Sequence, residues 1–110
     1  MKNGVNQMTQ LSSAFEKLGF WESETEEEHI TIFGMDFPSS QSYIIVTDDA
    51  GKTPEAEDAP LVVACYTDDD CFRWGKELEN FAALEAIASA NAAESAEMLA
   101  ALENYVLPKK

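Results

Sequence analysis

Tyr43-Ile44-Ile45-Val46-Thr47 is the stretch on which the fold turns. Four of its residues are β-branched and the fifth is aromatic. Such side chains lose freedom in a helix and pack well on a pleated surface. The run is apolar at successive positions, so both faces of a strand built from it are apolar. Leu61-Val62-Val63-Ala64-Cys65-Tyr66 reads the same way. These two runs are expected to be central, well-covered strands.

Weaker strand signals flank them. His29-Ile30-Thr31-Ile32-Phe33 alternates around Ile30 and Ile32. Residues 71 to 78 alternate with Phe72, Trp74 and Leu78 on one side and Arg73 and Glu77 on the other. A helix over 71–78 is the competing reading, and the alternation and Gly75 favour the strand. The connections are turn-rich: residues 36–40 around Pro38, a long acidic loop over 48–60 with Pro54 and Pro60, and the short Asp68-Asp69-Asp70 hairpin. Short loops favour antiparallel neighbours. The 48–60 loop is expected to be the mobile segment.

Helical spacing appears at both ends. Met8, Leu11, Phe15 and Leu18 share a face over residues 8–18, with Gly19 as a C′ residue and Phe20 closing the turn. Residues 21 to 28 read as an acidic connector, a solvated loop or hairpin rim. After Asn80, a good N-cap, Phe81, Leu84, Ile87 and Ala88 form one stripe. Met98, Leu99, Leu102, Tyr105 and Val106 form another. Asn91 with Glu94 resembles a capping box, which predicts two helices, about 81–90 and 92–106, meeting at a bend. A single continuous helix is the alternative. The ten Ala between 82 and 101 reflect helix propensity.

The fold class is therefore α+β: an N-terminal helix, a four-stranded antiparallel meander and two C-terminal helices packed on the sheet. Residues 1–7 are expected to be a disordered tail and 8–107 one domain. This order leaves one face covered by helices and the other partly open. The apolar character of both faces in the central strands hints at a cover for the open face too, a helix from either end or a partner subunit.

Residues 22 to 70 hold fourteen Asp or Glu and one Lys, Lys52, within a chain of net charge −14. Direct binding to nucleic acid or to an anionic membrane needs a Lys/Arg patch that seven basic residues in total cannot easily supply. A basic protein partner fits this charge. No run approaches a membrane span, and the N-terminus lacks the apolar stretch of a signal peptide, so a cytoplasmic location is expected.

No catalytic motif stands out. His29 is the only histidine, it neighbours Glu26, Glu27 and Glu28, and no Ser or Cys nucleophile is framed with it. Cys65 and Cys71 lack a zinc spacing and read as reduced packing residues. Three consecutive Asp without spacers or Gly do not make a calcium loop. No cofactor or metal is implied.

The charge pattern points to a non-enzymatic interaction domain that presents carboxylates to a basic, nucleic-acid-binding protein and inhibits it as a nucleic-acid mimic. That is the general character of small phage or mobile-element inhibitors of host defence nucleases. The expected contact residues are Glu24, Glu26, Glu27, Asp48, Asp49, Asp68, Asp69 and Asp70, on loops that one sheet edge can present together. The alternative rests on a fold-level similarity: chains of this size, pI and element order resemble secretion chaperones, which form homodimers and bind an extended client segment. A small enzyme is the third and weakest reading.

Overall fold

The computed structural model describes residues 11–24, 30–54 and 58–107. Helix α1 covers residues 11–17 of the described chain. It ends as its sequence foretells. Gly19 sits at φ +98°, Gly19 N–H donates to Glu16 C=O at 2.9 Å and Phe20 N–H to Phe15 C=O at 3.1 Å. These are the two bonds of a Schellman cap. Its hydrophobic contact is present too, with the Phe15 and Phe20 rings edge to face at 5.5 Å.

Among the described residues the sheet has five strands, not four. They are β1 (Trp21–Glu24), β2 (Thr31–Phe37), β3 (Ser42–Asp48), β4 (Leu61–Thr67) and β5 (Phe72–Leu78), joined as an antiparallel meander in sequence order. The extra strand, β1, falls in the segment read as an acidic connector. Charged residues are well tolerated on an edge strand. Trp21 secures it by laying its ring over Gly34 of β2, where any side chain would collide with the indole. Strand β2 also starts and ends later than its sequence run implies. Asp36 and Phe37 belong to it, and the connection shrinks to a 3-10 turn over Pro38–Ser40. Residues 71–78 resolve as strand, as Gly75 and the alternation imply, with a bulge opposite Cys65 and Tyr66.

The helices after the sheet are α2 (Phe81–Ala90) and α3 (Ala96–Glu103). Asn80 caps α2 as expected, its Oδ1 accepting from Ala83 N–H at 3.0 Å. The Asn91–Glu94 box does not form. Asn91 instead donates to Ile87 C=O at 2.9 Å, closing the end of α2. The N-cap of α3 is Ser95, whose Oγ accepts from Met98 N–H at 3.1 Å. Helix α3 therefore starts four residues later than expected and stops at Glu103 rather than 106.

One core lies between the sheet and the helices. Phe33, Met35, Phe37, Ile44, Val46, Leu61, Val63, Cys65 and Leu78 supply the sheet side. Leu11, Phe15, Phe81, Leu84, Met98, Leu99 and Leu102 supply the helix side. Phe15 is its centre: it stacks on Phe33 at 4.1 Å and meets Phe81 edge to face at 5.0 Å. Helices from both ends of the chain pack on this same face. Among the described residues no helix packs on the other.

Candidate functional site: the open face of the sheet

Strand alternation puts every second residue on the face away from the helices. Pairing register then sorts those residues into rows across the sheet. One row runs Asp36, Tyr43, Tyr66 and Phe72, at the end nearest the Asp68–Asp70 hairpin. The next runs Trp21, Gly34, Ile45, Ala64 and Gly75. Ile32, Thr47, Val62 and Glu77 continue the face beyond it. All of these are partly or fully exposed except Gly34, which Trp21 covers. Among the described residues no helix covers this face, which leaves it partly open, as the element order suggests.

The aromatic row is ordered. The Tyr43 and Tyr66 rings stack across β3 and β4 at 5.5 Å and 18°. Phe72 meets Tyr66 edge to face at 5.8 Å while remaining 63% exposed. The bulge explains Phe72. It resets the alternation, so that Trp74 turns to the core and Phe72 to the open face.

The acidic hairpin braces this row. Thr67 N–H donates to Cys71 C=O at 2.8 Å, Asp70 N–H to Thr67 C=O at 2.8 Å, and Asp70 sits at φ +66°. That left-handed residue lets a short loop match the strand twist. Its carboxylate accepts a 2.7 Å hydrogen bond from Tyr43 Oη–H. This bond is the main reason that the Tyr43 hydroxyl is pushed up to about 12, and burial and the charge of Asp70 add to it.

Carboxylates border the face, with Asp36 and Glu77 on it and Asp68 to Asp70 at its end. Among the described residues no Lys or Arg projects from it. Arg73, at the bulge, lines a cleft on the helix side with Ser40, Leu99 and Glu103 and a second one beside Asp68 and Asp69 of the hairpin, and Lys76 lies opposite the core residue Val63.

The acids expected to act together are not gathered into one surface. Asp68, Asp69 and Asp70 are exposed at one end of the sheet. Glu24, Asp48 and Asp49 lie at the other, near Thr31, a strand length of roughly 20 Å away. Asp48 is occupied there. Its Oδ1 accepts from Ala50 and Lys52 N–H at 2.9 and 2.8 Å, and Thr53 anchors the same loop by accepting from Thr31 N–H at 2.6 Å. Part of the loop expected to be mobile is therefore tied to the sheet. Glu26, Glu27 and His29 lie outside the described residues. Sequence reasoning missed Asp36, Tyr43, Tyr66 and Phe72 as site residues. For Tyr43 and Tyr66 the signal was the apolar character of both faces of their strands, whereas in the sequence Asp36 reads as a turn residue and Phe72 as sharing a side with Trp74 and Leu78.

The two cysteines part ways. Cys65 is buried and burial pushes its thiol up, whereas Cys71 is exposed rather than packed, and neither is in a disulfide. Among the described residues no three His, Cys, Asp or Glu side chains are grouped to hold a metal ion. No described helix is long and apolar enough to cross a membrane. No protein-family model, curated protein or solved structure matches this chain.

Proposed function

We propose that this chain is a non-enzymatic interaction domain whose open sheet face docks a basic, nucleic-acid-binding protein and blocks it. The observation that carries this reading is the aromatic row Tyr43–Tyr66–Phe72 set between carboxylates on a face without cations. Aromatic rings are favoured at the centres of interfaces, and complementary charge around them steers a basic partner and fixes its register. Acidic groups at both ends of the sheet extend the negative field beyond the aromatic centre. A groove evolved for phosphates meets the same sign of charge here. The face is unsuited to nucleic acid itself, because phosphates approaching it meet the carboxylates of Asp36 and Glu77.

The dimeric chaperone-like alternative needs an open strand edge for an extended segment. Strands β1 and β5 are such edges, but β1 is only four residues long and half acidic, and β5 carries a bulge and Lys76, all features that discourage strand addition. These features favour the first reading.

The test is capture from host lysate on the immobilised protein and on its Phe72→Asp variant, followed by elution with a sodium chloride ladder. The expected result is a basic nucleic-acid-binding protein that is released at moderate salt, displaced by duplex DNA or RNA, and lost from the variant. A partner held equally by the variant, or one indifferent to both salt and nucleic acid, overturns the proposal.

A further inference from the structure

Tyr43 lies on β3, between β2 and β4. One side of its ring is stacked on Tyr66 of β4. Its hydroxyl is held by Asp70 at 2.7 Å. The remaining side faces β2, where the directly opposed residue on the same face is Asp36, an exposed carboxylate. Cross-strand neighbours on one face stand about 5 Å apart at their Cβ atoms. An aromatic face that is fixed in orientation thus stands beside one carboxylate, with a second at its hydroxyl end. Resting on the proposed basic partner, we infer that the free side of the Tyr43 ring, next to Asp36, is the seat of an arginine side chain.

The chemistry selects arginine over lysine. A guanidinium is planar, stacks on an aromatic ring, is weakly hydrated and bonds a carboxylate through two parallel N–H groups. An ammonium is a strongly hydrated point charge and uses a ring face less well. The stacking between Tyr43 and Tyr66 also matters. It holds the rings before the ligand arrives, so little side-chain freedom is lost on binding. The π-faces here are of the kind that receive nucleobases in RNA-binding sheets, but a nucleotide would bring its phosphate toward Asp36 and Asp70. A guanidinium takes the stacking and reverses the electrostatic sign.

The test uses the full-length chain, isotopically labelled, and two synthetic peptides of equal length and charge. In one, every cation is Arg, and in the other every cation is Lys. Affinities and backbone amide shifts are read by NMR at low salt. The Arg peptide is expected to bind about fivefold more tightly, with the largest shifts in β2 and β3 around Asp36 and Tyr43. Tyr43→Leu and Asp36→Asn each remove the preference, whereas Tyr43→Phe, which keeps the ring, retains most of it. Glu85→Gln, an exposed charge change on α2, leaves it intact. Asp36 is exposed, so its variant keeps the test decisive even if Tyr43→Leu fails to fold. Equal affinities for the two peptides, or a preference that survives Asp36→Asn, overturn the inference. If both peptides bind the open face equally, the arginine seat falls and the basic-partner reading stands. If neither binds, both fall.

Discussion

Tyr43 titrates late because its proton is shared with a carboxylate. Asp70 accepts the hydroxyl hydrogen bond, and the phenolate would sit against a negative charge, which raises its pKa to about 12. The sign of the linkage follows. The folded state holds this proton above the usual tyrosine value of about 10, so the contribution to stability is complete below that pH. It is lost as pH climbs from about 10 to 12. Absorbance titration of tyrosine should therefore show a late phase from Tyr43, and Asp70→Asn should bring it down toward the usual tyrosine value. Asn is well tolerated at positive φ, so the hairpin survives the change. A late phase that persists in Asp70→Asn would place its cause elsewhere. The thiols give a second residue-scale expectation. Exposed Cys71 should react with a disulfide reagent at once, and buried Cys65 only when the chain is unfolded. Two fast equivalents in the native protein would contradict the burial of Cys65.

Strands β3 and β4 were legible because long β-branched runs bounded by turn residues have few other conformations open to them. Helix α1 was legible for a different reason, since Gly19 and Phe20 encode its ending locally. Strand β1 was not legible, because Trp21–Glu24 is half acidic and becomes a strand only when Trp21 finds Gly34. That is a tertiary fact, and Gly34→Ala tests it. The new methyl would meet the Trp21 ring and stand 2.7 Å from the Ile44 carbonyl oxygen. The expected cost is about 1–3 kcal/mol in denaturant unfolding, with a red-shifted tryptophan emission as the ring is displaced. Unchanged emission would mean that the indole does not hold β1 in place. The start of α3 was misread for a related reason. Asn91 and Glu94 have the spacing of a capping box, but Asn91 closes α2 instead and leaves Ser95 to open α3. Ser95→Ala should cost about 1 kcal/mol in the same assay. The open face was legible only in outline, from an element order that leaves one side of the sheet partly uncovered. Apolar residues on both sides of a strand do not say which side the chain covers, and only the placement of the described helices on one face decided it. Asp70 was chosen for its charge, but its bond to Tyr43 depends on a register that composition does not carry.

At the scale of the whole molecule, a net charge of −14 acts on folding as well as on binding, and salt pulls the two effects in opposite directions. The acids at the two ends of the sheet stand roughly 20 Å apart, beyond the Debye length of about 10 Å at 0.1 M salt but within the roughly 30 Å that applies at 0.01 M. At low ionic strength the ends repel each other and the folded state carries that strain. Sodium chloride added over this range should raise the melting temperature, by about 4–8 °C for each kcal/mol of repulsion screened in a domain near this size. The complex with a basic partner should weaken over the same range, because the attraction that steers it is screened as well. Measuring both in one salt series separates the two roles of the acidity. A flat melting temperature would mean that the carboxylates are already compensated within the fold. A complex indifferent to salt would mean that they do not serve the interface, and the apolar row alone would have to account for the affinity.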